Sequence, residues 1–166
     1  MNGQTATALA DLLYADRELI GMYEDASARL SPDTAVLLKE AIDDHQRHEA
    51  LLSEAVDSIE MQLAEPSEDM QLLMEEHRHR VRMARDERDV LDVLILAERL
   101  NALLYEKAEM QDLPEELSEV ITEQHADERL NVELIAERAP ELSAQSEHGV
   151  ACMTGMTDDI NPDDFD

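Results

Sequence analysis

At 166 residues the chain is long enough for one domain with its own core, and its 41 acidic against 13 basic residues leave a net charge of −28. That field repels nucleic acid and anionic membranes and draws cations in. A single cysteine excludes a disulfide framework, and charges interrupt every apolar stretch before it reaches the length of a membrane span.

Glycine and aromatic residues are scarce while Leu, Ala, Glu and Met abound, which favours helix throughout. The first helix is predicted from about Thr5 to Leu30. Its apolar seam reads Leu9, Leu12/Leu13, Asp16, Leu19/Ile20, Tyr23, Ala26, Leu30, the three-and-four spacing of a bundle helix. Ser31-Pro32 then supplies an N-cap and a proline at the first helical position. The second helix runs to about Leu63, with Leu38, Ala41/Ile42, His45, His48/Glu49, Leu52, Ala55/Val56 and Ile59 inward. His48 and Glu49 compete for one inward position.

Pro66-Ser67 opens a further helical stretch, from Met70 to Met83. Met70, Met74 and Met83 read as core filling. The run from His77 to Arg85 is the one positive patch, and His77 and His79 are expected at the surface. This stretch reads as a crossover packed on the flank of a bundle.

The third bundle helix restarts near Asp86 or Asp89 and runs to about Met110. Its seam is Leu91, Leu94/Ile95, Glu98, Asn101/Ala102, Tyr105 and Ala108. Asp112 with Glu115 three residues on has the form of a capping box. The fourth helix follows from roughly Leu113 to Ala139, with Leu117, Ile121, His125, Glu128, Val132 and Ile135 inward, and Pro140 ends it. Residues 141–166 carry Ser, Gly and Asp without periodicity and read as an acidic, disordered tail. Cys152 and the acids from Asp158 to Asp166 lie in it, the latter without the spacing of a calcium loop.

The informative feature is where the polar residues fall. Asp16, His45, His48, Glu98, His125 and Glu128 stand on seams where leucine is expected, and a buried charge is costly unless paired or bound to metal. There is also an internal echo. Ala15-Asp16-Arg17 leading to Tyr23-Glu24 and Ala26 recurs as Ala97-Glu98-Arg99 leading to Tyr105-Glu106 and Ala108. Each phrase precedes a helix with a histidine cluster. Heights agree as well: Asp16 and His45 each lie about fourteen residues from the turn at Ser31, and Glu98 matches a level between His125 and Glu128 at 1.5 Å rise per residue. Four antiparallel helices thus deliver polar side chains to one layer. Imidazole and carboxylate together suit iron, manganese or zinc. The competing reading is a buried hydrogen-bond network that specifies register. Tyr23 and Tyr105 read as core tyrosines or as relays to the adjacent acids.

This pattern resembles the ferritin-like superfamily of di-iron and di-manganese carboxylate proteins. In that superfamily two helices each supply one Glu and the other two each supply Glu-x-x-His. The small stress-type bundles of the superfamily are most similar. The resemblance covers residues 5 to 139. It implies an all-α, ferritin-like antiparallel four-helix bundle over residues 1–140, with a helical crossover between the second and third helices. By position, Asp16 and Glu98 match the single carboxylates, while His45-x-x-His48 (with Glu49 as alternative) and His125-x-x-Glu128 match the paired ligands. Neither pair reads Glu-x-x-His, and Asp16 is one methylene short of the usual Glu. The function implied is iron binding, with Fe(II) oxidation by O₂ or peroxide, in a homo-oligomeric protein. The alternative is a non-catalytic stress or interaction bundle with a structural polar layer. An N-terminus without a basic n-region or long apolar run adds the expectation of a cytoplasmic location.

Lys39 and Lys107 are the only lysines, and such acid-rich, lysine-poor surfaces suit high-salt cytoplasm, where mobile ions screen self-repulsion. The other reading of the charge is a functional cation sink. On the first reading, thermal melts across KCl should show the melting temperature still climbing into the molar range. A plateau at a few tenths molar would leave the cation sink as the explanation.

Overall fold

The computed structural model describes residues 3–138, which form five α-helices and no strand. These are α1 (Gly3–Ser27), α2 (Pro32–Ser58), α3 (Glu68–Met83), α4 (Glu87–Glu109) and α5 (Glu115–Arg138). The expected boundary at 140, the acidic stretch 141–166 and Cys152 lie outside the described residues.

Local chemistry sets the boundaries. Ser31 is the extended N-cap of α2, with proline at N1 as the sequence requires. Its hydroxyl does not cap its own helix, however; it donates to Glu87 Oε1 on α4 (3.0 Å), as does Thr34 (2.6 Å). Hydrogen bonds from Thr34 and then Ser31 hold the Glu87 carboxyl below its ordinary range. Ser67 caps α3 by accepting from Met70 N, and Asp86, rather than Asp89, caps α4 by accepting from Asp89 N. The capping box at Asp112 does not set the start of α5. The first helical bond runs from Ser118 N to Pro114 O (2.9 Å), so the helix opens at Glu115, beyond the reach of an N-cap at Asp112.

The second helix also stops short of the expected Leu63. Glu60 sits in the left-handed region at φ 51°, and Glu60 N and Met61 N turn back to the carbonyls of Asp57 (3.0 Å) and Val56 (3.2 Å). That is the paired-bond helix stop usually given to glycine, and it ends α2 at Ser58.

α1 packs on α2 and α4, and α5 packs on α2 and α4, so these four helices close a ring around one core. α3 lies outside the ring, against α1 and α4. Cross-contacts give the directions. Tyr23 and Asp16 of α1 meet Glu98 and Tyr105 of α4 in reversed order, so those two helices are antiparallel. Asp11 meets Ser67 and Arg29 meets Ala84, so α3 runs alongside α1 in the same sense. α1 touches three helices, and most of its circumference between Ala8 and Ala26 is buried. None of the described helices is long and apolar enough to cross a membrane.

Two arginines of the positive run on α3 serve this docking. Arg78 reaches Asp25 (3.1 Å) and Glu18 (3.3 Å) of α1, and Arg82 reaches Asp25 (3.0 Å). Burial pushes the Asp25 carboxyl up, but the two guanidinium hydrogen bonds win and hold it below its ordinary range. Gly21 makes room, since a Cβ there would lie 3.1 Å from the Arg78 guanidinium. Asp11 accepts from Ser67 N and Oγ at the start of α3, and Arg29 donates to the carbonyls of Val81, Arg82 and Ala84 at its end.

Two expectations for this segment need correction. The buried stripe of α3 is Met70, Met74, His77 and Val81, a four-three-four spacing that places His77 inside with Nδ1 on Leu73 O (2.8 Å). Burial lowers the pKa of His77, which keeps it neutral. Met83 falls off that stripe and is 67% exposed, so it does not fill the core.

Because Glu60 carries a Cβ in a conformation that disfavours one, Glu60→Gly should stabilise the fold by about 0.5–1 kcal/mol, the left-handed strain less glycine's extra backbone entropy. Urea unfolding of the two proteins checks this. A destabilised variant would mean that the Glu60 side chain makes a compensating contact.

Candidate metal centre

Five ionisable side chains from all four ring helices meet at the centre of the bundle: Asp16 (α1), His45 and His48 (α2), Glu98 (α4) and Glu128 (α5). Each is wholly shielded from solvent. Helix periodicity puts them there. On α2 the inward positions step Thr34, Leu38, Ala41, His45, His48, Leu52, Ala55, a strict four-three alternation. On α5 the same alternation gives Leu117, Ile121, Gln124, Glu128, Asn131, Ile135.

That register decides the residues the sequence left in competition. His48 takes the inward position, and Glu49 stands at the flank with Arg17 Nε 2.6 Å away. Gln124 takes the inward position on α5. His125 is turned aside, with a side chain 19% exposed and Nδ1 on Glu109 Oε2 at 3.0 Å. Of the seven candidates, Asp16, His45, His48, Glu98 and Glu128 therefore converge, while Glu49 and His125 do not. Asn101, Gln124 and Asn131, absent from the candidate set, do face inward. Continuing the four-three step from Leu117 would have found the latter two.

The repeated phrase has a structural meaning. The Tyr105 hydroxyl donates to Asp16 Oδ2 (2.9 Å), and the Tyr23 hydroxyl donates to Glu98 Oε1. Each tyrosine thus serves the acid of the other repeat across the antiparallel α1–α4 pair. Asn101 Nδ2 donates to Asp16 Oδ1 (2.9 Å), Gln124 Oε1 lies 3.1 Å from the Tyr105 hydroxyl, and Gln124 Nε2 donates to the His48 carbonyl (3.0 Å). The rings pack too: Tyr23 stacks on His45 (centroids 5.7 Å, 26°), and His48 meets Tyr105 edge-on at 6.2 Å.

The two histidines are oriented alike. Nδ1 of His45 lies 3.3 Å from Asp16 Oδ1 and 3.4 Å from Glu128 Oε1, while its Nε2 lies 2.9 Å from Glu98 Oε1. Nδ1 of His48 lies 2.8 Å from Glu128 Oε1, and its Nε2 lies 3.4 Å from Asp127 Oδ2 near the surface. Asp16, His45, His48 and Glu128 each offer a donor atom, all within 4.8 Å of one another, and this group can hold a metal ion.

Electrostatics follow from three carboxylates and two imidazoles in a dry interior. Burial pulls both histidines down, yet Glu98 and Glu128 around His45, and Glu128 beside His48, raise both pKa values above the ordinary imidazole range. Burial pushes Glu128 up to about 7. Glu98 is also penalised by burial but is held below its ordinary range by His45. Burial raises both tyrosines, which remain neutral donors. Glu98 Oε2 and Glu128 Oε2 are buried with no hydrogen-bond partner, as are Asn101 Oδ1 and Asn131 Nδ2. Unpartnered buried polar atoms cost about 1–3 kcal/mol each, and more when charged. Two of the four are carboxylate oxygens of Glu98 and Glu128, side chains close enough to share a proton, so this pair calls for a proton or a cation between them.

Comparison of the chain with protein-family models, with curated proteins and with solved structures finds no match in any of the three. The chemistry of this layer has to be read from its own geometry.

Protons stand in for a cation when no metal is bound, which makes stability pH-dependent. The raised Glu128 contributes stability that is present below its unfolded pKa near 4.5 and lost as pH climbs to about 7. The raised His45 and His48 contribute stability present below 6.5 and lost as pH rises through their folded values. All three act in one direction, and the lowered His77 opposes them only below its unfolded value of 6.5. The melting temperature of metal-stripped protein should fall between about pH 5.5 and 8.5 by at least about 3 °C, the shift of roughly 1 kcal/mol in a domain of this size. Glu128→Gln should flatten the part of the curve below pH 7. A melting temperature that holds or rises over that interval would contradict the assignment.

Proposed function

We propose that this chain is a ferritin-like metal-binding protein whose bundle core holds a divalent ion, iron first and manganese or zinc as alternatives. One observation carries the reading: a wholly buried Asp, His, His and Glu whose donor atoms converge within 4.8 Å, beside Glu98 and Glu128 carboxylate oxygens that no N–H or hydroxyl group reaches. The donor set fits, because neutral imidazole and carboxylate suit all three metals. The ring of α1, α2, α5 and α4 with α3 returning along its flank supports the ferritin-like comparison. Iron at this site would supply oxidation of Fe(II) by O₂ or peroxide. The protein's part is to exclude water, present the His45 and His48 Nδ1 atoms, and orient Asp16 through Tyr105 and Asn101.

A second reading is favoured by the density of the hydrogen bonding. Asp16 alone is met by Asn101, Tyr105 and His45, as in a structural network that specifies register without metal. The two readings separate on linkage. An ion bound only to the folded state at 100 times its Kd adds about 2.7 kcal/mol of stability, whereas a dry network gains nothing. Stripped protein melted with and without Fe(II) under anaerobic conditions, or with Mn(II) or Zn(II), should show the stabilisation. His45→Gln and Glu128→Gln should abolish it while retaining helical circular dichroism. An equal shift in wild type and both variants would relocate binding to the surface carboxylates and leave the network reading standing. Oxidation is tested separately: Fe(II) in the loaded protein should disappear under air faster than Fe(II) in buffer alone.

A further inference from the structure

We infer that the centre is built for a single ion, held by His45 Nδ1, His48 Nδ1, Asp16 Oδ1 and Glu128 Oε1, and that Glu98 and Asp127 are positioning residues rather than ligands. This rests on the metal-binding reading above and specifies its stoichiometry and donor roles.

The first observation is the common orientation of the imidazoles. His45 turns Nδ1 toward the Asp16 and Glu128 oxygens and His48 turns Nδ1 toward Glu128, and both turn Nε2 toward a different carboxylate, Glu98 for His45 (2.9 Å) and Asp127 for His48 (3.4 Å). A metal-ligating histidine characteristically donates its second N–H to a carboxylate, which sets the tautomer and the ring orientation. Glu98 therefore meets His45 through the nitrogen that faces away from Asp16, and it stands outside the group of four whose donor atoms all lie within 4.8 Å of one another, although its side chain adjoins Glu128. Its Oε1 already receives the Tyr23 hydroxyl and the His45 N–H. Asp127 is in turn steadied by Arg47 Nη2 at 3.0 Å, which also holds Asp44 at 2.9 Å.

The second observation is the spacing of the donors. Four ligands at about 2.0–2.1 Å around one ion lie about 3.3 Å from one another. The donor atoms of the four residues lie within 4.8 Å of one another, and three of their six separations are 2.8 Å (His48 Nδ1 to Glu128 Oε1), 3.3 Å (His45 Nδ1 to Asp16 Oδ1) and 3.4 Å (His45 Nδ1 to Glu128 Oε1). They already approximate the edges of one coordination shell.

The third observation is the asymmetry of the two helix hairpins. α1 and α4 repeat each other down to the reciprocal Tyr–acid bonds, but α2 and α5 do not. Both nitrogen donors come from α2, whereas the inward polar residues of α5 are Gln124, Glu128 and Asn131. Two metals sharing a site stand about 3.5–4 Å apart and each needs its own donor set. A second ion beside Glu98 would find Glu98 Oε2 and Glu128 Oε2, and its one nearby imidazole nitrogen would be Nε2 of His45, a ring whose Nδ1 already faces the first site. His125, the one histidine on α5, is turned away to Glu109. Among the described residues no other convergent group of His, Cys, Asp and Glu exists.

The test is a titration of the stripped full-length chain with Co(II) alone and with Zn(II) alone, read by calorimetry, elemental analysis after desalting, and the visible absorption of Co(II). Wild type should bind one equivalent tightly. Glu98→Gln keeps the size and the hydrogen-bonding oxygen, so it should still bind one equivalent, with affinity lowered 10–100-fold, and Asp127→Asn should do the same. Asp16→Asn and His48→Gln should lose the tight equivalent and its Co(II) spectrum. Two tight equivalents in wild type that fall to one in Glu98→Gln would overturn the single-ion assignment while leaving metal binding intact. Glu98→Gln that loses all tight metal would make Glu98 a ligand and overturn its positioning role. No tight equivalent in wild type would overturn the metal reading itself and this inference with it.

Discussion

Everything in this bundle is arranged around the burial of three carboxylates and two imidazoles in one dry layer. None of the five can be left alone there, because the cost of an isolated buried charge exceeds what the surrounding apolar packing returns. Each is therefore met from another helix: Asp16 by Tyr105 and Asn101 of α4, Glu98 by Tyr23 of α1 and, across the ring, by His45 of α2, Glu128 by His48 of α2. Every one of these bonds joins two helices. The layer consequently specifies register as well as chemistry, since sliding any helix by one turn would break bonds on both sides of it.

The reciprocal exchange between the two Tyr–acid phrases explains why the same words occur twice. α1 and α4 are antiparallel neighbours, so an acid and a tyrosine two turns apart on each helix lie opposite their counterparts on the other. The second helix of each hairpin carries no such constraint. There α2 supplies the nitrogen donors and α5 supplies an oxygen and two amides. The result is a layer that is symmetric where it positions its acids and lopsided where it offers ligands.

Charge works differently at the surface. The flank helix α3 brings arginines to Glu18 and Asp25 of α1, and its ends are held by Asp11 and Arg29. These contacts are partly exposed, and exposed ion pairs are individually worth little. Their effect is to align α3 with α1 over the stripe of Met70, Met74, His77 and Val81, where apolar burial does most of the stabilising. In a chain with a net charge of −28, Arg17, Arg29, Arg47, Arg78 and Arg82 each bind a group on another helix.

The sequence by itself determined the helices, their punctuation at Ser31-Pro32 and Ser67, and the presence of acids and histidines on apolar seams, because helical periodicity and capping are local properties. Asp16, His45, Glu98 and Glu128 were legible for that reason. What only the tertiary structure decided were choices between neighbours on the helix wheel. His48 over Glu49 and Gln124 over His125 depend on how far each helix is rotated about its own axis, which packing against two partners sets and a single helix does not encode. The same holds for His77, buried because α3 lies on α1 and α4, and for Met83, which that docking leaves outside. The stop at Glu60 was illegible for a related reason: a non-glycine residue enters the left-handed region only when the surrounding fold turns the chain there. Pairing the acid of one repeat with the tyrosine of the other likewise required two helices distant in sequence to be antiparallel and level, a relation that exists only once the ring has closed.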